Sequence, residues 1–235
     1  MNKERLKTGL EMMGVAADET ALDRFEAFHA ILDEYNARMD LTAVLDEDER
    51  VDRHDLDSAA PLAHGLLAQG AKVIDVGTGA GFPGLAVKVA CPDMDLTLLD
   101  SLDKRIGFLR ETCAALGFDD VACIHARAED APAELREGFD AALSRAVARL
   151  NVLCELCLPF VKTDGVFAAM KGPDCAEELR EAERAIALLG GELERCVSYT
   201  VPGTDVTHSV VLIRKVRPTG AKYPRRWAQI KKQPL

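Results

Sequence analysis

The sequence predicts an α/β fold: a largely parallel sheet with helices on both faces, a helical N-terminal cap and a C-terminal antiparallel hairpin. Three observations predict it. Residues 1 to 66 carry apolar residues at helical spacing; from Gln69-Gly70 onward short β-rich runs alternate with helical runs; and the last two β-rich runs have no helix between them.

In the cap, Leu6, Leu10 and Met13 make one apolar stripe, and Leu22, Phe25, Phe28, Ile31, Leu32 and Tyr35 make another. The β-rich runs that follow are Lys72–Val76, Asp95–Leu99, Val121–His125, Phe139–Ser144 and Val166–Met170. Between and after them lie helical runs at Pro83–Ala90, Asp103–Leu116, Leu150–Phe160 and Asp174–Leu189. Gly117 and Gly190-Gly191 suit the left-handed residue that closes a helix. Such alternation implies right-handed βαβ units and hence parallel strands. Leu193–Val201 and His208–Val216 are joined only by Pro202-Gly-Thr-Asp205, which predicts a hairpin at the sheet edge. The expected division is a cap at 1–66, a sheet domain at 67–216 and a basic tail at 217–235.

The chain has 235 residues, 48% of them hydrophobic, enough for one large domain or two small ones; disorder, collagen and a disulfide miniprotein are excluded. The charged N-terminus has no apolar run behind it, and no stretch approaches the ~20 apolar residues that span a bilayer, so neither a signal peptide nor a membrane is expected. Seven cysteines, mostly inside apolar runs, are expected to be reduced in a cytoplasmic protein. Cys154-Glu-Leu-Cys157 has no second pair for zinc and reads as packed thiols on a helix.

The formal net charge of −10 argues at first against a phosphate-bearing partner, because neutralising phosphates takes clustered cations. The distribution reverses that. Of 29 basic residues, eight fall in the last 22 positions with no acid among them (Arg214, Lys215, Arg217, Lys222, Arg225, Arg226, Lys231, Lys232). That leaves 21 basic against 39 acidic residues upstream, a body of −18 ahead of a tail of +8.

The densest signal is Asp75-Val-Gly77-Thr-Gly79-Ala-Gly81-Phe-Pro83-Gly84, between the first strand and its helix. Glycines there let backbone N–H groups and a helix N-terminus approach a ligand closely, and Pro83 suits a first helical turn. Two cofactor readings compete. Gly79-x-Gly81-x-x-Gly84, with Asp100 downstream, matches the dinucleotide fingerprint of an NAD-dependent oxidoreductase. Asp75-x-Gly77-x-Gly79-x-Gly81 matches the first motif of class I S-adenosylmethionine-dependent methyltransferases, whose sheet is Rossmann-like. The strand-end acid favours the second reading, since no carboxylate should face a pyrophosphate. The lack of a Tyr-x-x-x-Lys or His/Asp catalytic set argues the same way.

Asp100 ends the second strand and can accept both ribose hydroxyls under either reading; helix capping is better served by Ser101 and Asp103. Arg127-Ala128-Glu129-Asp130 stands where this class binds adenine, although Glu129 also fits a short helix's first turn. The fourth strand ends in Ser144-Arg145-Ala146. Amino-group DNA methyltransferases carry Asn/Asp-Pro-Pro-aromatic there, and cytosine C5 enzymes a Pro-Cys nucleophile; neither is present. A cation at that point suits a substrate that is already a nucleophile, or a phosphate; a surface ion pair is the competing reading of Arg145.

These motifs, with Leu98-Leu-Asp100-Ser-Leu-x-Lys-Arg105, Phe108-Leu109 and Lys171-Gly172, stand in the order and spacing of the glucose-inhibited division protein B family, which the chain resembles almost end to end. Asn36-Ala-Arg-Met-Asp40-Leu41-Thr42, Arg53-His54-Asp-Leu-Asp57-Ser58, Ala221-Lys-Tyr-Pro-Arg225 and Lys232-Gln-Pro-Leu235 extend the resemblance. Three departures stand out: Asp40 for the usual Asn, Asp55 at a commonly apolar position, and Trp227-Ala-Gln-Ile within the tail. The resemblance implies a bacterial methyltransferase that uses S-adenosylmethionine to modify N7 of a guanosine in 16S ribosomal RNA. Its partner would be that RNA or the small ribosomal subunit, with no metal. By the same resemblance Gly77 and Phe82 line the methionine side, Asp100 holds the ribose, Ala128 and Glu129 the adenine, Gly79 also binds the cofactor, and Arg145 stands at the mouth where the base enters.

Guanine N7 has a free lone pair and no proton, so no general base, metal or covalent intermediate is expected. The enzyme's contribution is orientation and exclusion of water. Arg145, Lys171, Arg53 and His54 are the expected positioning residues for the base and its phosphates. For His54 a packed helix histidine competes with that role, and for Lys171 a strand-end lysine reaching water. The tail, with its cations and the aromatic Tyr223 and Trp227, reads as an RNA arm, disordered until it meets its partner, or as a merely solvated end. A non-catalytic RNA-binding assembly factor is a third reading of the whole chain, opposed by the intact glycine loop and Asp100.

Overall fold

A computed structural model describes all 235 residues. The cap comprises α1 (Lys3–Met12), α2 (Glu19–Met39), α3 (Glu47–Arg50), which continues as a π-helical stretch at Val51–Leu56, and α4 (Ala60–Ala63). Side chains of Asn2, Asp18 and Asp46 start the first three by accepting from backbone N–H groups. The cap is not helical throughout. Asp40 ends α2 in the left-handed region (φ 49), a conformation that Asn or Gly adopts more readily. The loop behind it is closed by Asn36, whose side chain both donates to and accepts from the Thr42 backbone at 2.9 Å.

The alternating part runs β1 (Lys72–Val76), α5 (Gly84–Ala90), β2 (Asp95–Asp100), α6 (Asp103–Ala115), β3 (Ala122–His125), β4 (Phe139–Arg145), α7 (Leu150–Cys157), β5 (Val161–Lys171), α8 (Ala176–Leu188), β6 (Gly191–Thr200) and β7 (Thr207–Lys215). Every expected strand and helix is present, with β5 five residues longer at its start than the apolar run Val166–Met170 suggests. The sheet order is β3-β2-β1-β4-β5-β7-β6, with β7 antiparallel to both its neighbours. The hairpin therefore forms, but β7 is inserted inside the sheet and β6 is the edge. Composition explains the choice: β7 carries the unbroken apolar run Val210–Ile213, which is buried, whereas β6 places Glu192, Glu194 and Arg195 in solvent.

Successive strand residues point to opposite faces, which creates two cores. Val73, Leu96, Leu98, Ala141 and Leu143 pack with the cap, α5 and α6; Ile74, Val76, Leu99, Ala142 and Phe167 pack with α7 and α8. The second core also contains Tyr223 and Ile230. The tail is thus folded, contrary to the expected disorder, and ends in a short helix α9 (Trp227–Lys232). Two apolar anchors and a buried ion pair supply what its charge alone did not suggest. Arg225 grips the fully buried Glu155 of α7 with its backbone N–H and Nε at 2.8 Å and Nη2 at 2.7 Å. Arg136 donates to the carbonyls of Thr219 (2.6 Å) and Tyr223 (2.7 Å). Cys154 and Cys157 are buried on α7, where burial pushes both thiols up, so they are packed and inert. No helix is long and apolar enough to cross a membrane.

Candidate active site

Parallel strands leave a crevice outside their carboxyl ends where the order reverses, here between β1 and β4. The loop after β1 is shaped by two close approaches. A Cβ on Gly84 would lie 2.7 Å from the Asp75 carboxylate and 2.9 Å from Leu98, so only glycine lets α5 sit this close to the sheet. The Gly84 N–H donates to Asp75 at 2.8 Å. Asp75 is fully buried behind the loop, and burial pushes its carboxyl up to about 6; it braces the turn and does not line the cleft. Gly79 adopts φ 61, and a Cβ there would project into open space, so a ligand can come up to the backbone.

The cleft has a volume of about 550 Å³. Gly77, Gly79, Phe82, Asp100, Ala128, Glu129 and Arg145, all expected as cofactor residues, line it together. Asp100 accepts from Gly79 N–H at 3.0 Å and Leu102 N–H at 2.9 Å, which fixes its carboxylate at the cleft and leaves lone pairs for further donors. It therefore combines the expected ligand position with local bracing of the loop. Glu129 lies in a single 3-10 turn and is paired with Arg127 at 2.5 Å. At the other end Phe82 is sandwiched between Phe28 (centroids 5.0 Å) and His54 (4.6 Å). The set fits S-adenosylmethionine: a glycine backbone open to approach, a strand-end carboxylate able to accept hydroxyls, and the aromatic face of Phe82.

A second cleft of about 360 Å³ adjoins the first and shares His54, Arg145 and Ala146 with it. Arg53 and Lys171 line it too, so the four expected positioning residues converge at one place. Their settings differ. Arg145 donates to the Arg53 carbonyl at 3.1 Å and to Asp57 at 2.8 Å, with its guanidinium 5.6 Å from the Phe82 ring centroid. Lys171 is held by Glu178 (2.7 Å) and the Ala148 carbonyl (3.0 Å) and does not simply reach for water. The exposed Arg53 side chain pairs with Glu49 at 2.7 Å. His54 bonds to the Thr42 hydroxyl at 2.8 Å; burial, reinforced by the nearby Arg145 charge, lowers its pKa to about 4, so it is neutral at pH 7.

Asp57, Tyr199 and His208 form a hub that sequence reasoning did not identify. The buried Asp57 accepts from Tyr199 Oη at 2.7 Å, His208 Nδ1 at 2.7 Å and Arg145. Burial opposes its ionisation, but the His208 bond, the Arg145 charge and the Tyr199 bond outweigh it and hold the carboxyl below its usual range. His208 is correspondingly raised, chiefly by its bond to Asp57. The available signal was the hairpin register: Tyr199 and His208 are directly paired across β6 and β7. Asp57 follows Arg53 by one helical turn. No cluster of three or more His, Cys, Asp or Glu side chains is arranged to hold a metal ion.

A family model described as GidB, rRNA small subunit methyltransferase G, matches residues 21–206. A protein of Alkaliphilus oremlandii named Ribosomal RNA small subunit methyltransferase G is 44% identical over 235 residues, covering 99% of this chain and 98% of its own length. One of the same name from Clostridium perfringens is 41% identical, with 98% and 97% covered. Among solved structures, M. jannaschii TYW2 in complex with AdoMet superposes with a TM-score of 0.57 at 13% identity, covering 74% of this chain and 80% of that one. A SAM dependent methyltransferase from Aquifex aeolicus gives 0.54 at 18% identity, covering 72% and 94%. These two similarities show a shared fold.

Proposed function

The chain belongs to the GidB family of small-subunit rRNA methyltransferases, and from that premise we propose that it methylates N7 of a guanosine in the 16S RNA of the small ribosomal subunit. It is an S-adenosylmethionine-dependent rRNA methyltransferase with a class I fold. That membership decides against both the oxidoreductase and the non-catalytic assembly factor.

One observation supports the choice of N7: beside Arg145, where the base would enter, Asp57 and His54 are both poor bases. Asp57 accepts three donors and is held ionised below the usual carboxylate range, so it has little basicity. His54 is too weakly basic to take a proton near pH 7. His208 is the one stronger base of the second cleft, its Nδ1 held by Asp57 and its pKa raised, and N7 is the guanine atom that makes no demand on it. An exocyclic amine or a ribose hydroxyl must lose a proton to be methylated, and N7 has none to lose. When bound, S-adenosylmethionine supplies a sulfonium methyl group to that lone pair.

What remains for the protein is placement, which in well-oriented systems contributes roughly 7–11 kcal/mol. Gly77, Gly79 and Phe82 would hold the methionine end, Asp100 the ribose hydroxyls, and Ala128 with Glu129 the adenine edge. Arg145, braced by Asp57 and the Arg53 carbonyl, stands where the two clefts meet and would orient the base; Lys171 and Arg53 would take neighbouring phosphates. His54 contributes a neutral ring that keeps Phe82 in place and water out.

Purified protein given methyl-labelled S-adenosylmethionine and small subunits lacking the modification should yield label solely in 7-methylguanosine after digestion. Arg145→Ala should lose transfer while retaining S-adenosylhomocysteine binding. Label in another nucleoside refutes the N7 assignment, and full activity in the variant removes Arg145 from the site.

A further inference from the structure

We infer that Trp227 of the C-terminal helix α9 takes the adenine of the cofactor against its ring, which makes the basic tail a wall of the cofactor site. This rests on the S-adenosylmethionine reading above.

The cleft extends from Phe82 past Gly79 and Asp100 to Ala128 and Glu129, and Trp227 lines it together with these last two. The indole is held in orientation: the Arg127 guanidinium lies 5.2 Å from the ring centroid and is itself tied to Glu129. The backbone that carries it is anchored too. Ile230, three residues on, is fully buried, and Arg225, two residues back, grips Glu155. Yet Trp227 keeps 36% of its surface exposed on a helix whose other outward residues are polar, basic or small. Packing does not require a large aromatic at that place. An open aromatic face on the side of the cleft opposite the methionine end has the chemistry to stack a purine, and stacking is worth having for any base because every base has a π-face.

A linkage follows. If α9 holds the cofactor, then the cofactor holds α9, by the same free energy. Arg226, just before this helix, and Lys231 and Lys232 on it have no carboxylate partner, so cofactor binding would also fix three cations available to phosphates.

Trp227 is the sole tryptophan, so intrinsic fluorescence reports on this position alone. Titrating the intact protein with S-adenosylhomocysteine should change the emission along the isotherm that calorimetry gives. Adenosine should change it at higher concentration, and L-methionine should leave it unmoved. Trp227→Ala should weaken S-adenosylhomocysteine binding roughly five- to a hundred-fold, and Trp227→Phe by less than about three-fold. Calorimetric binding with unchanged emission, or an unaltered Kd in Trp227→Ala, overturns the role of Trp227 and leaves the cofactor reading standing. No calorimetric binding by the wild-type protein overturns the cofactor reading and this inference with it.

Discussion

Burial and the Arg145 guanidinium both disfavour a proton on His54, and its pKa falls to about 4 from 6.5. Between those values the unfolded chain takes up a proton that the folded chain refuses. Stability from this group is therefore complete above pH 6.5 and declines as pH falls toward 4. Asp75 has the opposite sign, since its raised carboxyl binds a proton in the folded state up to about pH 6, so a wild-type profile mixes the two. Comparison with His54→Gln isolates the histidine: the wild type should lose about 2 kcal/mol more than the variant between pH 7.5 and pH 5, measured by urea unfolding. Parallel profiles would show that His54 is protonated without penalty. Glycine-loop residues and Asp100 were legible because their roles follow from local sequence: a turn, a strand end, a helix start. Asp57 stood in a segment that resembles the family, but its role was not legible, because its partners Arg145, Tyr199 and His208 lie 88 or more residues away. Asp55, a departure from the family pattern, finds its explanation in the same way: it pairs at 2.7 Å with His29, buried in α2.

At the scale of elements, the tail shows how a composition can mislead. Its charge suggested a free arm, but Tyr223 and Ile230 bury fully enough to join the core of α7 and α8, and Glu155 waits there without another cation. Removing one member of a buried pair leaves an uncompensated charge, which costs more than the pair contributes. Arg225→Met should thus destabilise the protein by about 3 kcal/mol, and adding Glu155→Leu should recover most of that. Equilibrium denaturation of the three proteins checks it; an Arg225→Met midpoint equal to wild type would mean that the pair is not closed. The alternation of strands and helices was readable because period 2 and period 3.6 patterns differ over a few residues. Insertion of β7 between β5 and β6 is a choice between strands of different polarity, and it was open to reading in Val210–Ile213 against the charged β6.

Over the whole molecule the acidic body and basic end are closer partners than a split of −18 and +8 suggests. Arg214, Lys215 and Arg225 pair with Glu194, Glu137 and Glu155, and Arg217 donates to the Ala187 carbonyl. Lys222, Arg226, Lys231 and Lys232 remain without carboxylate partners, the last three on or beside the helix that reaches the cofactor cleft. On the proposed function RNA affinity would be local, placed beside the chemistry and sensitive to salt, because the acidic body repels phosphate. The two clefts lie together at the carboxyl ends of the parallel strands, and Trp227 brings α9 to the first of them, an arrangement that suits the proposed guanosine methylation in a large RNA. The most direct test maps 7-methylguanosine across 16S RNA from cells with and without this protein. The account predicts that a single 7-methylguanosine disappears on loss of the protein and returns with the wild type but not with Arg145→Ala. A modification map that is the same in both cells would contradict it.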